Sequence, residues 1–109
     1  MTLEIHTYPL GPLATNTYVL VDPISKLAVV IDPTFNSRYV VKAIHEGGWK
    51  PFQVWLTHAH FDHTAGVQTI CELVEPPLPI GIHPDDLPLY HDGGGAHHFG
   101  IDMPPLPEP

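Results

Sequence analysis

The chain has 109 residues and a formal net charge of −8, from 12 acidic residues against 4 lysines and arginines. This balance provides no basic stripe for phosphate backbones or anionic lipids, so nucleic acids and membrane surfaces are not expected partners. The single cysteine, Cys71, excludes an intrachain disulfide. The first residues do not resemble a secretory signal and no apolar stretch is long enough to span a bilayer, so we expect one small cytoplasmic domain.

The first half of the chain predicts strands followed by a helix. An edge strand is expected over residues 4–8. Two apolar, β-branched runs at 17–21 and 27–31 flank a five-residue loop, which is the pattern of a hairpin. Asn36 is the expected N-cap of a helix that the glycine pair 47–48 ends.

The second half predicts further alternation of strands and helices. A strand is expected over 53–56, and apolar residues at helical spacing over 67–74 predict a helix that the prolines 76–77 end. A strand at 79–83 and a helical turn at 85–89 follow. This order predicts an α/β layer with a mixed sheet.

The C-terminal stretch 90–109 predicts a Gly-, His- and Pro-rich loop or tail beyond a domain at 1–89. It shows no helical or strand periodicity, and three consecutive glycines precede His97 and His98. On sequence alone these two imidazoles belong to a solvated loop, line a substrate cleft or donate to a metal.

Four potential metal ligands stand close together directly after an apolar strand. Residues 57–66 read THAHFDHTAG. Alternate side chains of an extended segment point the same way, so His58 and His60 can bind one cation, while Asp62 and His63 turn past it to bind another. Imidazole and carboxylate suit zinc best, with iron or manganese as alternatives. Two adjacent cations can lower the pKa of a shared water from about 15.7 to about 7, giving hydroxide for hydrolysis.

The segment THAHFDHTAG resembles the HxHxDH signature of the metallo-β-lactamase fold superfamily, particularly its glyoxalase II-like (hydroxyacylglutathione hydrolase-like) branch. ATNTY at 14–18 and VIDP at 30–33 follow the order of that family's N-terminal half, so the resemblance covers residues 3–83. It implies that residues 1–89 form half of an αββα sandwich, a mixed sheet with helices on one face. The implied reaction is hydrolysis of a small thioester or ester by metal-bound hydroxide.

The resemblance also implies roles for individual residues. His58 and His60 would bind the first metal, and Asp62 and His63 the second, with zinc the expected cofactor at two ions per complete site. Asp62 would serve as the catalytic residue as well as a ligand. Asp32, at a strand end, would orient a ligand imidazole by a hydrogen bond; alternatively it only caps the Asp-Pro turn.

The chain departs from the family in length. Family members have a second, similar half that supplies the remaining ligands, and none of four later histidines lies in a motif of that kind: His83, His91, His97 and His98. A catalytic zinc usually has three protein ligands, whereas two per metal are assigned here. We therefore expect a truncated or half-site form, completed by a complementary C-terminal half or by self-association as a homo-oligomer.

Two other functions stay open on sequence. A mononuclear iron persulfide dioxygenase of the same fold would use the first-metal histidines, His58 and His60, and leave Asp62 and His63 less occupied. A catalytically inactive metal-binding half-domain that needs a partner would bind metal weakly. Metal content separates the two enzymes, because hydrolysis by a metal pair needs two ions and the oxygenase needs one.

Overall fold

A mixed β-sheet forms the framework of the protein, and its strands lie side by side in the order of the chain. The computed structural model describes residues 2–109. Within these residues the strands are β1 (Glu4–Leu10), β2 (Thr15–Val21), β3 (Leu27–Ile31), β4 (Lys50–Trp55) and β5 (Ile80–Gly81). β1, β2 and β3 pair antiparallel, whereas β3, β4 and β5 pair parallel. The predicted α/β class with a mixed sheet is confirmed.

The helices are short. They are α1 (Arg38–Gly47), α2 (Phe61–Thr64), α3 (Val67–Leu73) and α4 (Leu87–His91), with 3-10 segments at Pro84–Asp86 and Gly93–Phe99. Across residues 2–109, every helix falls short of the length and apolar character needed to cross a lipid bilayer.

The β2–β3 hairpin forms with the predicted five-residue loop. The Asp22 carboxylate accepts a hydrogen bond of 2.9 Å from the backbone N–H of Ile24, and this bond lowers the pKa of Asp22. Lys26 has a φ of 67°, and the backbone N–H of Asp22 donates to the Leu27 carbonyl at 3.0 Å. These local bonds fix the register that brings alternate residues of β2 to one face.

The predicted N-cap of α1 is wrong by one residue. The helix begins at Arg38, and Ser37 occupies the N-cap position. Asn36 instead adopts a φ of 63°, a left-handed conformation that asparagine tolerates, and so turns the chain before the helix. The Ser37 hydroxyl donates to the Thr34 carbonyl at 2.6 Å. Gly48, with a φ of 67°, caps the end of the helix as predicted.

The core lies between the helices and one face of the sheet. Fully burying a valine or isoleucine side chain is worth about 1.5–3 kcal/mol, so the core contacts dominate the stability of so small a domain. The largest fully buried aliphatic side chains are Val19, Val21, Val30, Val40, Val54, Val67 and Ile70. Cys71 packs against this cluster, and burial raises the pKa of its thiol.

The opposite face of the sheet carries apolar side chains that reach solvent. Ile5 pairs with Leu20 in the β1–β2 ladder, and Ile31 pairs with Trp55 in the β3–β4 ladder. Ile5 is 66% exposed and Trp55 is 41% exposed. We call this the open sheet face, defined by Ile5, Leu20, Ile31 and Trp55.

The C-terminal stretch 90–109 has more regular structure than the loop expected for it. Tyr90 is 1% exposed, and its hydroxyl donates to the Pro107 carbonyl. The following 3-10 segment contains Gly94 and Gly95 with φ of 68° and 78°. Left-handed glycines interrupt helical periodicity, so the sequence pattern does not reveal such a segment.

Candidate metal centre

The parallel strands β3 and β4 end at the same edge of the sheet and place the candidate site there. Asp32 follows β3 directly, and Thr57 lies two residues beyond the end of β4. The Asp32 N–H donates to the Trp55 carbonyl at 3.0 Å, so the two chain segments leave the sheet together. The Asp32 carboxylate therefore meets the motif that begins at Thr57.

The Asp32 side chain is buried and its oxygens are hydrogen-bonded. Oδ1 accepts from the Thr57 N–H at 2.7 Å, and Oδ2 accepts from the Thr57 hydroxyl. Oδ2 also lies 3.1 Å from Nδ1 of His63. A buried carboxylate is costly unless such donors compensate it, which accounts for a charged group that is only 3% exposed.

The contact with Asp32 fixes the orientation of the His63 ring. A carboxylate only accepts hydrogen bonds, so this contact suits a His63 tautomer that donates from Nδ1 and offers Nε2 to a metal. Nε2 lies 3.4 Å from Oδ2 of Asp62. The nitrogen that His63 can offer to a metal thus faces the Asp62 carboxylate.

His58 lies between the other two histidines of the motif. Its ring centroid is 4.0 Å from that of His63 and 5.0 Å from that of His60. Nδ1 of His58 lies 3.0 Å from the Thr57 hydroxyl. Asp32, His58 and His63 each offer one potential ligand atom, and these three atoms lie within 4.8 Å of one another.

The predicted site residues therefore lie together at one edge of the sheet. His60 is exposed and adjoins His58, while Asp62 and His63 are partly buried and adjoin each other. Asp32 was predicted to contact one imidazole, and in the structure a carboxylate oxygen of Asp32 lies within 4.8 Å of ring nitrogens of both His58 and His63. The division of the four motif residues between two metals stays a prediction.

Two threonines contribute to the site without having been singled out from the sequence. The Thr15 hydroxyl, at the start of β2, donates to Oδ2 of Asp62 at 3.0 Å. Thr57 binds Asp32 through both its N–H and its hydroxyl. Thr57 directly precedes the first histidine, a position that could have indicated its role, whereas Thr15 is brought to Asp62 only by the fold.

Two cavities border Asp62. A polar one of about 470 Å³ is lined by Leu13, Thr15, Asn16, Tyr18, Asp32, Thr57, Asp62 and His63. A second, of about 360 Å³, is largely apolar and is lined by Pro12, Leu13, His60, Phe61, Asp62, Phe99 and Ile101. Asp62 thus separates a polar opening from an apolar one.

The 3-10 segment Gly93–Phe99 packs against the metal motif. A Cβ atom placed on Gly94 would lie 2.4 Å from the Phe61 backbone nitrogen and 2.6 Å from the Ala59 carbonyl oxygen. The rings of Phe61 and Phe99 are 5.4 Å apart. A side chain at position 94 would therefore displace the loop that carries His60.

The later histidines lie outside this cluster. Nδ1 of His83 accepts from the Asp85 N–H at 3.1 Å, and Nε2 of His91 lies 3.2 Å from Glu108. His97 and His98 form a separate group with a neighbouring aspartate. The donor set of imidazoles and carboxylates at the sheet edge fits a divalent transition metal.

Comparisons with known proteins identify the family to which the chain belongs. Residues 10–108 match the Metallo-beta-lactamase superfamily. An uncharacterized protein of Aquifex aeolicus (strain VF5) is 32% identical over 108 residues, which are 96% of this chain and 48% of that protein. A hydroxyacylglutathione hydrolase of Enterobacter sp. (strain 638) is 46% identical over 43 residues, 39% of this chain and 17% of that enzyme.

A solved structure shares the fold. The crystal structure of TTHA1623 in a di-iron-bound form superposes with a TM-score of 0.81 at 34% identity, covering 95% of this chain and 51% of that one. The chain thus spans about half the length of TTHA1623 and of the Aquifex relative. Together with the match over residues 10–108, these findings show that the chain belongs to the metallo-β-lactamase superfamily.

Proposed function

We propose that this chain forms the metal-binding part of a hydrolase that cleaves a small thioester or ester, as glyoxalase II-like enzymes do. The observation that carries the proposal is the buried Asp32 carboxylate, which holds His63 with Nε2 facing Asp62. The local match to a hydroxyacylglutathione hydrolase supports the thioester class. The substrate is a small molecule, because the acidic chain has no basic stripe for a polyanion.

We assign the metal ligands to the four motif residues. His58, His60, Asp62 and His63 would hold zinc, two ions per complete site, with iron or manganese as alternatives because TTHA1623 has a di-iron-bound form. When bound, the metal pair supplies a Lewis acid that makes a water nucleophilic near neutral pH.

The remaining residues of the site hold these ligands in place. Asp32 and Thr57 orient His63, and the Thr15 hydroxyl donates to Oδ2 of Asp62 and so fixes the orientation of that carboxylate. The polar and apolar cavities on either side of Asp62 offer separate places for the two ends of an acyl compound.

A second candidate is a mononuclear iron persulfide dioxygenase. The observation in its favour is the group formed by Asp32, His58 and His63, whose ligand atoms lie within 4.8 Å of one another; this set has His63 in place of the His60 expected from the sequence. Two histidines and one carboxylate are the ligand set of non-haem iron oxygenases. Metal analysis separates the candidates: one iron per chain favours the oxygenase, and two zincs per complete site favour the hydrolase.

We further propose that another polypeptide segment completes the site. The motif assigns two ligands to each metal, where a catalytic zinc usually has three. The missing ligands would come from a complementary C-terminal half or from a second copy of the chain, packed on the open sheet face. Without that completion the chain is a metal-binding half-domain with little turnover.

The test is hydrolysis of a hydroxyacylglutathione thioester by the zinc-loaded chain, measured by the release of the thiol. We expect turnover above that of free zinc only where a second copy of the chain completes the site, and there at least a tenfold loss in Asp62→Asn, because the amide lacks the negative charge of the carboxylate. His83→Ala, at an exposed histidine outside the cluster, serves as the control. Equal rates for the unchanged chain, Asp62→Asn and free zinc would contradict hydrolysis by this chain.

A further inference from the structure

A second group of potential metal ligands lies on the C-terminal 3-10 segment. Asp92, His97 and His98 each offer one ligand atom, and these three atoms lie within 4.8 Å of one another. This group is separate from the one that contains His58 and His63. Nε2 of His97 lies 3.0 Å from Oδ2 of Asp92. The HxHxDH site uses none of these three side chains.

The local fold brings these side chains together. Asp92 ends α4, and the next three residues, Gly93–Gly95, all have φ between 68° and 78°. This left-handed run reverses the chain so that His97 returns to Asp92 and the His97 and His98 rings stand 4.0 Å apart. The close packing of Gly94 on the Phe61 backbone anchors the turn to the body of the protein.

The donor set suits a borderline divalent cation. Zinc holds imidazole nitrogens at about 2.0–2.1 Å, which places tetrahedral ligand atoms about 3.3 Å apart. The His97–Asp92 separation of 3.0 Å is close to this spacing, and His98, whose side chain is exposed, would have to rotate to reach it. The side chains of His97 and Asp92 are 58% and 54% exposed, so binding removes little solvation and water can fill the remaining positions.

We propose that Asp92, His97 and His98 form an additional site for a zinc-class divalent cation, independent of the hydrolase site. The cation would take the place of the direct contact between Nε2 of His97 and Oδ2 of Asp92. It would tie the end of α4 to the turn that packs against Phe61. The ligand is the metal ion alone, and the proposal does not depend on the proposed function.

Zinc titration of the 109-residue chain by calorimetry tests the site. In His58→Ala/His60→Ala/His63→Ala, which removes the motif imidazoles, we expect about one zinc per chain to bind still. Adding His97→Ala and His98→Ala should abolish that binding. Adding His91→Ala instead should leave it unchanged, because this exposed histidine also pairs with a carboxylate, Glu108, but lies outside the group.

A reciprocal titration covers the case in which the triple variant does not fold, as judged by circular dichroism. In the otherwise unchanged chain, His97→Ala/His98→Ala should reduce bound zinc by one equivalent, and Asp92→Asn should weaken the same equivalent at least threefold. Cobalt substitution should give an absorption band that disappears in the same variants. Zinc binding and cobalt spectra that are identical with and without His97 and His98 would overturn the proposal.

Discussion

The Oδ2 atom of Asp32 lies 3.1 Å from Nδ1 of His63, although the two residues are 31 positions apart in the chain. Parallel pairing of β3 with β4 creates this contact, because both strands end at one edge of the sheet. The same carboxylate binds the Thr57 N–H at 2.7 Å. This buried carboxylate thus connects the end of β3 to Thr57 at the beginning of the histidine motif and to His63 near its end.

Replacing Asp32 by asparagine should weaken zinc binding about 10–100-fold, since hydrogen bonds that orient a ligand histidine contribute that much to metal affinity. The amide also presents N–H groups to donors, so folding should be less stable by about 1–3 kcal/mol. Zinc titration and urea unfolding measure the two effects. Asp102→Asn makes the same charge change at an exposed position and is the control. Unchanged zinc affinity in Asp32→Asn would leave Asp32 only as a cap of the Asp-Pro turn.

Gly94→Ala should destabilise the protein more than Gly100→Ala does. Both glycines are left-handed, with φ of 68° and 67°, but the added Cβ at 94 meets the Phe61 backbone at 2.4 Å whereas at 100 nothing lies within 4 Å. Overpacking typically adds about 1–3 kcal/mol to the shared conformational cost. Thermal unfolding compares the variants, and zinc affinity should fall only in Gly94→Ala. Equal melting temperatures would show that the segment does not support the motif.

Tyr90 should make the protein sensitive to alkali. Burial raises its pKa to about 12, above the value of about 10 expected in the unfolded chain. A raised folded pKa means that the stabilisation is complete below about pH 10 and is lost as the pH rises through about 12. The ionised oxygen also cannot donate to the Pro107 carbonyl.

Tyr90→Phe should therefore be less stable than the unchanged chain at neutral pH, by about 0.5–1.5 kcal/mol for the lost hydrogen bond. This difference should shrink between pH 10 and 12, because ionisation of Tyr90 in the unfolded state destabilises only the unchanged chain. Chemical unfolding at each pH measures it, with Tyr39→Phe, at a tyrosine that is 64% exposed, as the control. A difference that stays constant over this pH range would contradict the assigned role of Tyr90.

The isolated chain should self-associate through the open sheet face. Ile5→Lys places a charge on that face and should weaken association at least tenfold, measured by sedimentation. Ile24→Lys introduces the same charge at a residue that is 80% exposed in the hairpin loop and should have no effect. A compact, non-associating species of 12.0 kDa would rule out self-association.

The sequence predicted much of this architecture because its signals are local. The HxHxDH motif, the hairpin loop and Gly48 each depend on neighbouring residues, and the structure has the hairpin and the helix end where expected. The start of α1 was missed because Asn36 turns the chain instead of capping the helix. The 3-10 segment at Gly93–Phe99 was missed because left-handed glycines carry no periodicity.

Contacts between distant segments could not be predicted in the same way. The bond from Thr15 to Asp62 joins residues 47 positions apart and depends on how β2 lies against α2. The position of Asp32 was expected from a resemblance, but its bonds to Thr57 follow from the parallel pairing of two strands. Such contacts are properties of the sheet rather than of any one segment.

The histidine motif at the edge of the sheet should bind metal. Zinc titration by calorimetry in the His97→Ala/His98→Ala background, where the C-terminal group no longer contributes, tests it most directly. We expect at least one zinc per chain, and we expect binding to be lost when His58 and His63 are both changed to alanine. Zinc binding that is absent from the start, or that survives loss of both histidines, would contradict it.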